Sequence, residues 1–248
     1  MGYVFDFKDA IAYEQWLYHP RNKLFADLGK QLMCDMLLPK QGETLLDIGC
    51  GTGLNLLSFL EMGVEVTGLD PSPYMLDIAS KNVRNRADLH RGFAEDLPFE
   101  DNTFNYSCLM ATLEFVEDPK KAIEEVSRVT KDRIFIGVLN RYAIKGIQIR
   151  VKGIFTKTIY NHAQFFSILE LKKIIRTILG DVPVSWRTVS QFPLATNKFT
   201  FWIEKSHLVQ KCPFGSFVGI VVTLIPRFKT RPLELKYRAK QTAGAVTS

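Results

Sequence analysis

The sequence predicts an α/β fold, a doubly wound sheet with helices on both faces. Three observations carry it. Short apolar runs alternate with helix-length amphipathic segments from Thr44 to Leu139. Such alternation is the signature of βαβ units around a parallel sheet, and right-handed crossovers then place helices on both faces. Glycines and Asp-Pro pairs punctuate the alternation where turns are needed. The third is composition: 248 residues, 46% hydrophobic and 23% charged, suffice for one large domain and do not read as disordered.

The elements follow in chain order. Ala10–Leu38 has helical apolar spacing interrupted at Pro20, and 39–42 reads as a turn, so residues 1–43 form an N-terminal helical cap. Thr44–Ile48 is a buried strand, followed by a glycine-rich turn. Leu54–Met62 is a helix stopped by Gly63, Val64–Leu69 a strand, and Pro73–Val83 a helix. Asp88–Arg91 is a weak strand and Phe104–Met110 a stronger one. Pro119–Thr130 is a helix and Arg133–Leu139 the fifth strand, which closes a first half at 44–140. Residues 141–240 then form a second half. Arg141–Phe166 is basic and without clean period. Ser167-Ile168-Leu169-Glu170 is a capping box, opening a helix that ends at Gly180. Val182–Val189 and Phe217–Ile225 are the last strands, with a long connection at 190–216, and 241–248 is a polar tail.

The chemistry concentrates at Leu45-Leu46-Asp47-Ile48-Gly49-Cys50-Gly51-Thr52-Gly53. A strand ends beside a carboxylate, and glycines then let a ligand lie against bare backbone. The spacing is G-x-G-x-G, unlike the G-x-G-x-x-G that aims a helix at a pyrophosphate. An acidic residue just before the glycines suits a cationic amino group better than a pyrophosphate. Asp70 follows Gly49 by 21 positions, at the end of the second strand, where a carboxylate can accept from both hydroxyls of a ribose.

With these residues the chain resembles the class I S-adenosylmethionine-dependent methyltransferase superfamily, in the branch of quinone-biosynthesis and other small-molecule methyltransferases. The resemblance rests on Leu45–Gly53, Val66–Ser72, Gly92–Phe99, Asp101–Phe104, Leu113–Pro119 and Glu124–Val129, and it covers Ala10–Asn140. It implies a Rossmann-like sheet of seven strands with a basic lid after strand five. It implies S-adenosylmethionine as cofactor, with Asp47 orienting the amino group, Gly49, Cys50, Gly51 and Gly53 forming the loop, and Asp70 holding the ribose. Pro71 would pack on the adenine, Ala94 would donate its backbone N–H to that ring with Glu95 beside it, and the Met110 or Ala111 carbonyl would face the amino group. Phe93 departs from the acidic residue the family often has there. The reaction would be methyl transfer to an O, N or C atom of a small or lipid-like acceptor.

Methyl transfer from a sulfonium needs alignment above all, and a base only where the nucleophile must lose a proton. His162 is the candidate base, with Glu114 and His19 behind it; a lone histidine has surface and structural uses too. No D/N-P-P-Y/F sequence follows the fourth strand, which argues against a base-amine acceptor and so against nucleic acid. Two rival readings stay open. The glycine spacing speaks against a nicotinamide oxidoreductase, and Phe93 favours a cofactor-binding interaction module with weak catalysis.

The net charge of +6 and pI of about 9.1 allow an anionic acceptor or an acidic membrane surface. The clusters Arg141–Lys157 and Arg227–Lys240 are either a solvated face or a patch for such a partner, and the interleaved apolar residues of 144–155 would suit a lid or peripheral lipid contact. Cys34, Cys50, Cys108 and Cys212 form no C-x-x-C pair, so free thiols and no metal are expected. No secretory signal is read at the start, and no apolar run approaches the ~20 residues of a bilayer span. A cytoplasmic location is the expectation.

Overall fold

The computed structural model describes residues 2–143, 162–191, 203–204 and 206–224. The elements are α1 (Phe7–Tyr18), α2 (Pro20–Leu37), β1 (Thr44–Ile48), α3 (Leu54–Glu61), β2 (Glu65–Asp70), α4 (Pro73–Val83), β3 (Asp88–Arg91), β4 (Phe104–Met110), α5 (Pro119–Val129), β5 (Thr130–Leu139), α6 (Ile168–Leu179), β6 (Val184–Val189), α7 (His207–Gln210) and β7 (Phe217–Thr223). They form a seven-stranded sheet in the order β3-β2-β1-β4-β5-β7-β6. The first five strands run parallel, and β7 inserts antiparallel between β5 and β6. Most of the lid segment (144–161), most of the connection after β6 (192–202) and the second basic cluster lie outside the described residues.

Strand alternation divides the core in two. Leu46 and Ile48 of β1 pack with Ile123 and Val126 of α5 and Leu171 and Ile175 of α6 on one face. Leu45 packs with Leu32, Met33 and Leu37 of α2 and Leu56 and Phe59 of α3 on the other. Both faces are covered, so the strands read as continuous apolar runs, as parallel sheets do. The chain crosses from β1 out to β2 and β3 and returns at β4. Ligands of open α/β sheets bind at this switch point, outside the carboxyl ends of the strands.

Caps explain the element boundaries. Asp6 accepts from the Asp9 N–H at 2.9 Å and Asp9 accepts from the Asp6 N–H at 3.1 Å, a capping box that starts α1 at Phe7, ahead of the apolar period. Each such cap is worth about 1 kcal/mol. The box expected at Ser167 is present, with the Glu170 carboxylate accepting from the Ser167 N–H at 2.8 Å. Thr130, not Arg133, opens β5. Its Oγ1 meets Ser107 Oγ at 2.6 Å, joining that end of the strand to β4. Among the described residues no helix is long and apolar enough to cross a membrane.

Candidate functional site

The β1–α3 turn is held by backbone. Gly49 and Cys50 N–H both donate to the Leu69 carbonyl, at 2.7 and 3.0 Å, so the turn is folded against the end of β2. Gly49 sits at φ +72°, and a Cβ there would strike the Thr112 side chain, whose Cγ2 would be 2.6 Å away. Thr112 in turn donates to the Ile48 carbonyl at 2.8 Å. Gly49 is thus required by protein packing. Gly51 differs: φ is +52°, yet nothing in the protein lies within 4 Å of an added Cβ. That Cβ would point into open space at the wall of a cavity of about 550 Å³.

Asp70 anchors this wall. Its Oδ2 accepts from the Gly51 N–H and its Oδ1 from the Ser72 N–H, both at 2.9 Å. It is 7% exposed, and burial pushes its carboxyl above the usual range, opposed by these two bonds. Each oxygen keeps a further acceptor position for a hydroxyl. Pro71 follows it at the wall.

The turn after β3 supplies the next wall, Phe93 to Glu95. Arg128 holds it in place. Its guanidinium donates to the carbonyls of Leu97 and Phe99 at 3.0 and 2.7 Å and pairs bidentately with Glu125, whose Oε2 also accepts from the Leu97 N–H at 3.0 Å. Charge-assisted paired bonds of this kind fix geometry as well as energy. Ala94 is buried at the wall. The Glu95 side chain is engaged elsewhere, since Oε1 accepts from the Glu117 N–H at 2.8 Å.

Met110 and Ala111 line the cavity beyond β4. Ala111 has φ +54°, which bends the chain away from the sheet there. Asp47 is fully buried, one residue before the wall. Its Oδ1 accepts from the Cys108 thiol at 3.1 Å and its Oδ2 has no partner.

The wall also carries residues that the sequence reading did not place in the site. Gly2–Phe5 lines the cavity as a strap ahead of α1. The Tyr3 N–H donates to the Phe115 carbonyl at 2.8 Å, and Ser72 Oγ donates to the Phe5 carbonyl at 2.6 Å. Phe5 meets Tyr13 at a ring distance of 6.4 Å, Tyr13 stacks on Trp16 at 5.9 Å, and Trp16 meets Phe25 at 6.5 Å. All four line the cavity, together with Phe115. The only signal available was aromatic density before residue 26, which a core helix shows equally.

The base candidates lie off the wall. His162 is exposed and stacks on Tyr3 at 4.4 Å. His19 is an exposed helix-junction residue. Glu114 is fully buried; its Oε1 accepts from the Leu139 N–H at 2.7 Å, its Oε2 is unpartnered, and burial pushes its pKa to about 7.

S-adenosylmethionine offers a ribose diol, an adenine, a carboxylate and two cationic groups. The open face over Gly51, the buried Asp70 carboxylate and the Phe93–Ala94 shelf fit the ribose and adenine, and the cavity has the volume of a small-molecule site.

Residues 46–135 match the methyltransferase domain family. A demethylmenaquinone methyltransferase of Paenarthrobacter aurescens is 36% identical over 102 residues, 41% of this chain and 40% of that protein. An uncharacterized protein of Methanocaldococcus jannaschii is 35% identical over 136 residues, 54% of this chain and 62% of that protein. The chain thus spans less than two thirds of either relative. Among solved structures, an S-adenosylmethionine-dependent methyltransferase of Thermotoga maritima superposes with a TM-score of 0.66 at 25% identity, over 88% of this chain and 98% of that one. The sheet order, the glycine turn with its aspartate, and these likenesses give the chain the fold of the class I S-adenosylmethionine-dependent methyltransferases, with the methyltransferase domain matched over residues 46–135.

Proposed function

We propose that the chain transfers the methyl group of S-adenosylmethionine to a small, apolar, ring-bearing acceptor. One observation carries this reading. A single cavity runs from the Gly51–Asp70 wall to the aromatic wall of the strap, α1 and α2. Cofactor end and acceptor end therefore share one enclosure.

The roles divide along the cavity. Asp70 accepts from the ribose, the Gly51 backbone makes room beside it, and Ala94 offers its N–H to the adenine. When bound, the cofactor supplies a methyl group already activated by the sulfonium. Phe5, Tyr13, Trp16, Phe25 and Phe115 present ring faces and edges to the acceptor and exclude water. Ring-on-ring contacts are worth about 0.5–1.5 kcal/mol beyond the area they bury. The protein's contribution is then chiefly alignment, which suffices for in-line displacement. The demethylmenaquinone methyltransferase likeness favours a quinone-like ring as the acceptor.

The test is incubation of the protein with methyl-labelled S-adenosylmethionine and demethylmenaquinone or a short-chain naphthoquinol. Label extracted into the organic phase is the expected result, abolished by Gly51→Val. Absence of transfer together with no calorimetric response to S-adenosylmethionine or S-adenosylhomocysteine would refute the reading.

A further inference from the structure

The residue before the last of β1, Asp47, carries a carboxylate that no counter-charge meets among the described residues. Alternation turns Leu45 and Asp47 toward the face covered by α2 and α3, where Asp47 faces Cys108 across the β1–β4 register. The side chain is fully buried, and one oxygen has no hydrogen-bond partner. The groups that titrate around it are Cys108 on β4, Cys50 in the glycine turn and Asp70 on β2, with Cys34 of α2 beyond Cys108. All four are acids, and among the described residues no cation is recorded beside the carboxylate. An ionised carboxylate so placed loses its hydration without a counter-charge, and holding a proton costs less. Burial, with Asp70 adding to it and the Cys108 thiol opposing it, pushes the group up to about 7.

The next two residues, Ile48 and Gly49, are cavity wall. A cation bound there would lie within one or two residues of Asp47 along the chain, at a buried site where opposite charges interact strongly. Resting on the reading of this end as the S-adenosylmethionine site, we infer that Asp47 is protonated in the free protein and gives up its proton when the cationic ligand binds. The proton leaves to solvent, Asp47 becomes the counter-ion of the ligand, and no other bond is made or broken. The uncompensated oxygen of the free protein is thereby a proton-exchange device in the binding site.

The experiment is isothermal titration with S-adenosylmethionine and, separately, S-adenosylhomocysteine at pH 6.5, in two buffers of different ionisation heat. Between about half and one proton released per ligand is expected, because a group titrating near 7 is mostly protonated at that pH. Affinity should rise roughly tenfold from pH 5.5 to 7, below the ~7.7–8.0 at which an α-amino group itself titrates. Asp47→Asn, a neutral near-isostere checked for a cooperative thermal transition, should bind with no proton released and a flat pH dependence. Binding by the parent without proton release overturns the inference. So does undiminished release by Asp47→Asn, which would assign the proton to Asp70. Failure of both ligands to bind the parent overturns the site reading itself, and this inference with it.

Discussion

At the residue scale, neighbouring glycines of one turn serve different ends. Gly49 leaves room for Thr112, whereas Gly51 leaves room for something that is not protein. The two should fail differently. Gly49→Ala drives a methyl into Thr112 and costs stability of the order of other overpacking changes, about 1–3 kcal/mol. Gly51→Val meets no protein atom but puts a β-branched residue at φ +52°, so it should keep a cooperative thermal transition at a lower Tm than the parent's while cofactor binding is lost. Equal cofactor affinity in Gly51→Val would show that the ligand lies elsewhere. Asp70 has two duties, since it accepts from the Gly51 and Ser72 N–H groups as well as facing the cavity. A hydrogen bond to a charged group is worth ~1.5–3 kcal/mol, so Asp70→Ala should weaken cofactor binding roughly ten- to a hundredfold. The lost turn contacts push the effect toward the upper figure. Asp70→Asn keeps one acceptor oxygen and should lose less. A change below twofold in the Ala variant, by titration calorimetry, would remove Asp70 from the site.

At the element scale, legibility follows the locality of the signal. β1, the glycine turn, β2 and Asp70 lie in one contiguous stretch, so spacing alone places the ribose end of the cavity. β3 reads weakly because as an edge strand it is mostly exposed and shows no buried run. The antiparallel entry of β7 is not written in its apolar sequence, because an apolar strand pairs in either direction until its connections fix it. The aromatic wall is the least legible part. Tyr13 and Trp16 have the spacing of any core-facing helix, and only the fold reveals that this face looks into a cavity. The strap makes the point testable. A Cβ on Gly2 would lie 2.5 Å from the Phe115 carbonyl oxygen, 3.0 Å from the Glu117 nitrogen and 3.1 Å from the Val116 Cα, all backbone. Gly2→Val should therefore lift the strap from the β4–α5 turn. Limited proteolysis should cut before α1 faster than in the parent, and the acceptor KM should rise several-fold with kcat little changed. Proteolysis and KM equal to the parent's would mean that the strap is no part of the acceptor wall.

At the scale of the whole molecule, two fully buried carboxyls, Asp47 and Glu114, sit near the carboxyl ends of the parallel strands, and burial pushes both to about 7. In the unfolded chain such groups titrate near 4. The folded state therefore holds protons that the unfolded state has released, and stability falls as pH rises from about 4 through 7. Below pH 4 the penalty is absent, and above 7 it is constant. Glu125, held low chiefly by Arg128, and Glu170, held low by the Ser167 cap with Arg141 against its burial, act in the opposite sense, the first from a buried site and the second from a half-exposed one. Glu114 isolates the effect because it lies off the cavity wall and can be changed without touching the cofactor contacts. Its Oε1 accepts from the Leu139 N–H, an acceptor role that a glutamine carbonyl preserves. The full linkage term for a shift of this size is roughly 3 kcal/mol. For a domain of this length, each kcal/mol moves Tm by about 2–4 °C. Without cofactor, the fall in the parent's Tm from pH 5 to pH 8 should thus be several degrees larger than that of Glu114→Gln, whatever the variant's absolute Tm. Differential scanning calorimetry of both proteins across that range decides it. Parallel curves would mean that Glu114 keeps an ordinary pKa in the folded chain, its unpartnered oxygen reached by water.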